Sequence, residues 1–344
     1  MTITCDAFGT LADGRKAKLY TLKNASGACV SVSDYGATLV KCVVPDRNGV
    51  LGDVALGFES AACYEKDVGY IGGLCGRYAN RIAAGELCIG DKTYALPVNS
   101  GKHHLHGGTP GFSNRIWEAE TEEDSVVFSL LSPDGDNNYP GTVRVTVKYT
   151  WSEENRLTVC YYAETDAPTV INLTLHAYWN MDGADGRTAR NNLLRLYASR
   201  YTPITADVIP DGRILPADGP LDFTSEKPIS EGLRGESDQL LFGGGFDINY
   251  VLDKNETGLA AELTGTESGR KMQIYTTEPG IQLYTGNFLG GYTGKYGAAY
   301  TPGTGIALET QHFPDTPHHS DWPSVSLLPG TPFTSKTEFR FTAL

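Results

Sequence analysis

The chain has 344 residues, of which 40% are hydrophobic, and its formal net charge at pH 7 is −13. This acidic balance, with 28 lysines and arginines scattered along the chain, argues against binding to nucleic acid or to an anionic membrane. No apolar run approaches the length that crosses a membrane, and the first residues lack the basic and apolar regions of a secretory signal.

The predicted elements are mostly strands, because glycine (40 residues) and tyrosine (19 residues) are frequent and apolar side chains often alternate with polar ones. From residue 142 to 151 and again from 157 to 163 this alternation is regular, which predicts a long antiparallel hairpin across a polar turn. In chain order we predict strands at 28–33 and 37–44, a short helix at 59–66, and strands at 125–131, 142–151, 157–163, 170–176, 192–198, 271–276 and 281–285.

Turn signals are dense, and there is no internal repeat, low-complexity linker or break in composition. We therefore expect residues 1–344 to form a single all-β domain, and the alternation by itself supports either a sandwich or a barrel.

The seven cysteines are an odd number and include no C-x-x-C pair, so neither a disulfide framework nor a thiolate zinc site is predicted. Reduced thiols in a cytoplasmic protein are the simplest interpretation. The sequons at Asn24, Asn172 and Asn255 would then carry no glycan, since glycosylation needs a secreted context.

Two polar segments precede the middle of the chain. The first contains Arg77, Asn80 and Arg81 beside apolar neighbours. A guanidinium suits the hydroxyls of a sugar because it offers several donors in fixed directions, although an isolated arginine more often binds loop carbonyls. The second contains His104 and His106, which would face the same way on a strand, but the glutamate and second histidine of a familiar metal site do not follow, so we predict no metal.

Two further segments place one titratable side chain each in apolar surroundings. His176 lies in the aromatic run 172–180, and Glu309 follows the apolar segment 305–308. Buried polar groups of this kind are costly unless they are paired, and a histidine with a glutamate can supply an acid and a base. The alternatives are a hydrogen-bonded core histidine and a glutamate on a surface strand.

These segments, in this order between about residues 75 and 316, resemble the aldose 1-epimerase (galactose mutarotase) family. The resemblance is carried by Asn80–Arg81, by L-H-G-G at 105–108, by N-L-T-x-H-x-Y-x-N at 172–180, by P-G-x-Q-x-Y-T-G-N at 279–287, and by the segment that contains Glu309. It implies the large antiparallel β-supersandwich of that family and the interconversion of the α and β anomers of free hexoses such as galactose and glucose, without a cofactor.

The resemblance also implies roles for individual residues. Glu309 would be the general base and His176 the general acid. Arg77, His103 and His104 lie outside the matching positions, and we predict a structural role for the arginine and surface positions for the two histidines. Trp179 or Tyr178 would support the face of the sugar. The remaining sugar contacts would come from Asn80, Arg81, His106, Tyr178, Asp247 and Gln282.

Three other functions stay open at this stage. An epimerase of hexose 6-phosphates would need a cationic cluster for the phosphate, and none is evident. A glycosidase would need two carboxylates around one bond, for which Asp247 and Glu309 are the candidates. A sugar-binding protein without catalysis would not need both His176 and Glu309. The expected partner is a small-molecule aldose, and the protein is expected to be a monomer or a homodimer.

Overall fold

The computed structural model describes residues 1–253 and 255–344, and most of its regular structure is β-strand. In chain order the strands are β1 (Thr2–Thr10), β2 (Lys16–Lys23), β3 (Cys29–Ser33), β4 (Thr38–Pro45), β5 (Leu51–Asp53), β6 (Leu74–Cys75), β7 (Arg81–Ile82), β8 (Glu86–Ile89), β9 (Lys92–Ala95), β10 (His104–Leu105), β11 (Glu118–Thr121), β12 (Ser125–Ser132), β13 (Val143–Trp151), β14 (Arg156–Thr165), β15 (Thr169–Val170), β16 (Thr174–Leu175), β17 (Tyr178–Trp179), β18 (Leu193–Leu196), β19 (Arg200–Thr202), β20 (Leu215–Pro216), β21 (Lys227–Pro228), β22 (Asp247–Val251), β23 (Leu259–Thr264), β24 (Arg270–Thr276), β25 (Gly280–Tyr284), β26 (Tyr292–Thr293), β27 (Ala299–Tyr300), β28 (Ile306–Gln311), β29 (Ser326–Leu327) and β30 (Phe333–Ala343).

The helical segments are short. The α-helices are α1 (Ala61–Tyr64), α2 (Ile229–Gly232) and α3 (Asp238–Gly243), and the first lies within the predicted helix at 59–66. Single 3₁₀ turns lie at Ala83–Gly85, Phe112–Asn114, Asp136–Asn138, Gly219–Leu221, Lys295–Gly297 and Thr316–His318. Within the described ranges no helix is long and apolar enough to cross a membrane.

Three antiparallel sheets hold most of the strands, which confirms the all-β fold class. The largest has nine strands in the order β11-β12-β13-β14-β30-β24-β23-β18-β21. The second has six strands in the order β17-β28-β25-β22-β19-β20, and the third has β1 to β5 in chain order. The predicted hairpin is the pair β13–β14, in which Val143 lies opposite Thr165 and Trp151 opposite Leu157.

The main hydrophobic cluster draws side chains from all three sheets. In β13 it receives the apolar side chains of the alternating pattern that predicted this strand, including Val145 and Trp151. Because successive side chains of a strand point to opposite faces, the polar neighbours of such residues are directed away from the core. In the six-stranded sheet the same alternation produces a polar face.

Strands β22, β25 and β28 of the six-stranded sheet show that face most clearly. Ile248, Leu283 and Leu308 enter the main cluster, and each has a polar neighbour in the chain. Those neighbours are Asp247, Gln282 and Glu309, and all three are buried on the opposite face of the sheet. The register places Gln282 directly opposite Glu309 and Asp247 directly opposite Tyr284. Residues that are distant in the chain thus become neighbours.

The prediction of one strand at 170–176 is wrong. The structure has two strands of two residues there, β15, which pairs with β29, and β16, which pairs with β6. Between them the backbone N–H of Ile171 donates to Val325, and that of Asn172 donates to Arg77. The segment is extended, as its composition suggested, but it changes its partner every two residues and therefore forms no continuous ladder.

Arg77 has the structural role that we predicted for it. Arg77 is 2% exposed. Its hydrogen bonds connect the loop between β6 and β7 to the end of β12. The guanidinium donates to the hydroxyl of Ser132 and to backbone oxygens of Ser132, Pro133, Pro140 and Gly141.

Candidate active site

A cavity of about 280 Å³ lies on the polar face of the six-stranded sheet. Strands β17, β22, β25 and β28 contribute Tyr178, Asp247, Tyr284 and Glu309 to its wall. Seven of the eight residues that we predicted for the site line this cavity, namely Asn80, Arg81, His106, His176, Tyr178, Asp247 and Glu309.

Gln282, the eighth predicted residue, lies behind the wall. Its side chain is buried, and its Nε2 donates to Oδ1 of Asp247 at 2.6 Å, so it holds that carboxylate in place. Of the two aromatic residues considered for the face of a sugar, Tyr178 lines the cavity. Trp179 points to the opposite side of β17 and packs against Phe339 in the core.

His176 and Glu309 form a buried pair in the cavity. Nε2 of His176 lies 3.5 Å from Oε1 of Glu309, and their side chains are 6% and 2% exposed. Burial disfavours the charged form of each group, so it lowers the pKa of His176 from 6.5 to about 4 and raises the pKa of Glu309 well above 4.5. The pair therefore retains a single proton between the pKa of His176 and the raised pKa of Glu309.

Two neighbouring charges act on Glu309 in opposite directions. The negative charge of Asp247 raises the pKa of Glu309, and the positive charge of Arg81 lowers it. These two residues also face each other, with Nη2 of Arg81 3.5 Å from Oδ2 of Asp247. The carboxylate of Asp247 thus contacts Arg81 through one oxygen and Gln282 through the other.

His106 is held by Asn80, and the two residues exchange hydrogen bonds across neighbouring turns. The backbone N–H of His106 donates to the carbonyl oxygen of Asn80, and the backbone N–H of Asn80 donates to Nδ1 of His106, both at 3.1 Å. A neutral imidazole that accepts at Nδ1 carries its proton on Nε2, so the ring is a hydrogen-bond donor at its other end. Burial lowers the pKa of His106 well below 6.5, which preserves this form.

This tautomer bears on the possibility of a metal site. His106, His176 and Glu309 bring three potential ligand atoms within 4.8 Å of one another. However, a metal ligand must offer an unoccupied lone pair, and His106 has one nitrogen engaged by the N–H of Asn80 and the other protonated. The donor set fits a hydrogen-bonding site for hydroxyl groups better than it fits a cation.

His103 and His104, which we predicted at the surface, are buried, so that prediction is wrong. Nδ1 of His104 lies 2.6 Å from the carbonyl oxygen of Pro97, and its Nε2 lies 2.7 Å from the hydroxyl of Tyr139. His103 accepts a hydrogen bond from the backbone N–H of Ala84. Three of the four ring nitrogens therefore have hydrogen-bond partners that the local sequence does not reveal.

Asn172 joins three segments of the site, and the sequence analysis assigned it no role. Its side chain is completely buried. Nδ2 donates to the carbonyl oxygens of Ala79 (3.1 Å) and His312 (3.3 Å), and Oδ1 accepts from the N–H of His312 at 3.0 Å. Ala79 precedes Asn80, His312 follows β28, and Asn172 itself begins the segment that leads to His176. One amide thus fixes the backbones that carry Glu309, His176 and Arg81.

Tyr70 and Tyr284 also line the cavity without having been predicted. Tyr284 had a signal in the sequence, since it is two residues from Gln282 and therefore lies on the same face of β25. Tyr70 lies in the loop after α1, a segment for which we predicted neither a strand nor a site residue.

The burial of Glu309 should cost stability above pH 4.5, because the carboxyl then loses its proton in the unfolded state, whereas its raised pKa retains the proton in the folded state. We expect Glu309→Gln to increase the melting temperature at pH 8, and we expect the increase to shrink as the pH falls towards 4.5. Thermal unfolding at pH 5 and pH 8 measures this difference. A lower melting temperature for the variant at pH 8 would contradict the burial of an uncompensated carboxyl.

Comparisons with known proteins identify the family of the chain. The family model "Aldose 1-epimerase" matches residues 18–340. The aldose 1-epimerase of Escherichia coli K12 is 36% identical over 337 residues, covering 96% of this chain and 97% of its own. Human galactose mutarotase is 37% identical over 314 residues, covering 91% of this chain and 90% of its own.

The crystal structure of an aldose epimerase homologue from C. elegans has a TM-score of 0.88 at 32% identity and covers 94% of this chain and 98% of its own. That of a galactose 1-epimerase from Lactobacillus acidophilus has a TM-score of 0.87 at 27% identity and covers 99% of both chains. The all-β fold described above is therefore of the galactose mutarotase type, and the chain belongs to the aldose 1-epimerase family.

Proposed function

We propose that the chain interconverts the α and β anomers of free aldohexoses such as galactose and glucose, with Glu309 as general base and His176 as general acid. The observation that carries this proposal is the buried pair itself, one carboxyl and one imidazole 3.5 Å apart in a cavity of small-molecule size. An acid and a base at this separation can serve two oxygens on the same carbon, the C1 hydroxyl and the ring oxygen O5.

The reaction begins with a sugar whose C1 hydroxyl contacts Glu309 and whose O5 contacts His176. Glu309 takes the proton of the C1 hydroxyl while His176 donates a proton to O5, and the C1–O5 bond breaks to leave an aldehyde at C1 and a hydroxyl at C5. Rotation about the C1–C2 bond presents the other face of the aldehyde. Closure reverses both proton transfers and gives the other anomer.

The number of protons on the pair does not change during ring opening. With the closed sugar the proton lies on His176 and Glu309 is a carboxylate, and with the open aldehyde the proton lies on Glu309 and His176 is neutral. Burial disfavours both charged groups of the closed-sugar state. In the open-aldehyde state both groups are neutral, so burial does not disfavour them. The low polarity around the pair therefore assists the bond-breaking step, in which both charges disappear together.

The remaining wall of the cavity suits the hydroxyls of the sugar. His106 offers an N–H at Nε2, Arg81 offers a fork of N–H donors, and Asp247 accepts. Because Asp247 is oriented by Arg81 and Gln282, it can accept from a hydroxyl without moving. Tyr178 supplies an aromatic wall beside His176, with ring centroids 5.0 Å apart.

The geometry disfavours two of the alternatives. Arg81 is the one cationic side chain among the described residues that line the cavity, and it already faces Asp247, so no cluster is present for a phosphate. A glycosidase would need Asp247 as a second free carboxylate beside the bond to be cut. Both of its oxygens are instead engaged by Arg81 and Gln282.

We further propose that the protein acts in the reducing environment of the cytoplasm. All seven cysteines are free thiols, and Cys42 and Cys75 are buried in the core. A chain that carries this many unpaired thiols fits a compartment in which disulfides do not persist.

The activity is tested by polarimetry of freshly dissolved α-D-galactose and α-D-glucose. We expect the wild type to accelerate the change in rotation above the spontaneous rate, and Glu309→Gln to lower kcat by about 10²–10⁴-fold, the usual contribution of a positioned proton transfer. Glu278→Gln is the matched control, because Glu278 is also buried and paired with a histidine, His312 at 2.7 Å, but lies outside the cavity. Normal turnover by Glu309→Gln would refute the base, and sugar binding without acceleration in the wild type would favour a binding protein.

The pH dependence follows from the requirement for one proton on the pair. We expect kcat/KM to fall on the acid side near pH 4, where His176 accepts a second proton, and on the alkaline side where Glu309 loses its proton. Asp247→Asn should move the alkaline limb to lower pH, since the charge that raises the pKa of Glu309 is removed. Arg81→Gln should move the same limb to higher pH. Shifts of the same sign in both variants would be inconsistent with this arrangement.

The role of Asn172 is tested by Asn172→Ala. We expect kcat/KM to fall by about 10–100-fold in protein that remains folded, because displacements of about 1 Å at a reacting group have effects of this size. Asn192→Ala is the control, since Asn192 is equally buried and bonds Met181 and Asp182 away from the cavity. Both variants should lose about 1–3 kcal/mol of stability. Equal activity losses in the two variants would show that Asn172 has no specific role in the site.

A further inference from the structure

The loop between α1 and β6 holds Tyr70 in a backbone conformation that residues other than glycine seldom adopt. Its φ is +55°, in the left-handed region. Such residues persist only where the surrounding structure fixes them, and they are concentrated at functional sites. In this loop the carboxylate of Asp67 accepts from the backbone N–H groups of Gly69 (2.7 Å) and Ile71 (2.6 Å), one on each side of Tyr70.

The loop is also bound to the walls of the cavity. The hydroxyl of Tyr178 donates to the carbonyl oxygen of Gly69 at 3.0 Å, and the N–H of Val68 donates to the hydroxyl of Tyr292 at 3.2 Å. The N–H of Gly72 donates to the carbonyl oxygen of His176 at 2.9 Å. The position of Tyr70 is therefore fixed relative to the backbone of the proposed acid itself.

The ring of Tyr70 covers two imidazoles. Its centroid is 4.6 Å from that of His106 and 6.0 Å from that of His176. His176 has three further aromatic neighbours, with centroids at 5.0 Å for Tyr178, 5.2 Å for His106 and 6.4 Å for Tyr284. Tyr178 and Tyr284 approach from the strands of the sheet, whereas Tyr70 approaches from the loop.

We propose that Tyr70 is a positioning residue that closes the loop side of the aromatic cage around His176, excludes water from the imidazole, and thereby keeps it uncharged until a sugar binds. This inference rests on the proposed function, because it concerns how the acid of that reaction is prepared. Tyr70 acts through His176, and its hydroxyl is given no part in the proton transfers.

The cause is desolvation. Burial is the largest influence on the pKa of His176, which it lowers to about 4. The titratable or charged groups that face or surround this imidazole from the elements packed against it are Glu309 on β28, Tyr178 on β17, Tyr284 on β25, Asp247 on β22, Arg81 on β7, His106 after β10, and Asp67 and Tyr70 in the loop. Removal of the Tyr70 ring leaves the other groups in place and admits water to the imidazole from the side of the loop.

The experiment is an NMR titration of the His176 imidazole, assigned by the signal that His176→Asn removes. In the wild type we expect titration near pH 4, and in Tyr70→Ala we expect it to move by about one pH unit or more towards 6.5, as water returns to the ring. Tyr70→Phe should behave like the wild type, because it keeps the ring and loses the hydroxyl alone. The acid limb of kcat/KM should shift with the titration in each variant.

Tyr296→Ala is the matched control. Tyr296 is also a tyrosine in the left-handed region, with φ +60°, but it is 59% exposed and lies outside the cavity. It should leave both the titration of His176 and the acid limb unchanged. An unchanged titration in Tyr70→Ala would overturn the inference, and so would a Tyr70→Phe variant that resembles Tyr70→Ala. Because the titration needs no turnover, a wild type that fails to accelerate anomerisation would refute the proposed function separately.

Discussion

The burial of one carboxyl and one imidazole against each other is the constraint on which the site depends. Neither His176 nor Glu309 can easily carry a charge alone in this environment, and together they bind a single proton. A reaction that takes one proton and gives another needs such a pair. The cost in stability is offset by a hydrophobic core that extends through all three sheets.

Strands and loops contribute different residues to the site, and this difference follows from the burial of the pair. Glu309, Asp247 and Tyr178 stand on strands of one sheet, whose register fixes their separations. Asn80, His106 and Tyr70 lie at turns with positive φ, where the backbone can approach the cavity closely. The amide of Asn172 and the two hydrogen bonds between Asn80 and His106 bind the turns to the rest of the site. Rigid strands thus place Glu309, and hydrogen-bonded turns complete the wall around it.

The charges of Arg81 and Asp247 form a second layer around the pair. Arg81 and Asp247 face each other and act on Glu309 with opposite sign, so the proton affinity of Glu309 reflects a balance between them. Gln282 contributes by orienting Asp247 and not by lining the cavity. The same residues whose donors and acceptors suit the hydroxyls of a hexose therefore also set the electrostatic environment of the buried pair.

Sequence alone determined those features that depend on local pattern. The alternation at 142–163 predicted the hairpin because one face of the strand is buried and the other is not, and the motifs around His176 and Glu309 identified the residues of the pair. Tertiary structure decided what depends on partners distant in the chain. The segment 170–176 is not one strand because its neighbours change. His104 is buried because Pro97 and Tyr139 supply partners for both of its nitrogens, and Ala84 supplies a partner for one nitrogen of His103. The placement of Tyr70 over two imidazoles and the three-way contact of Asn172 had no local signal, since hydrogen bonds and burial between remote segments exist only once the sheets are assembled.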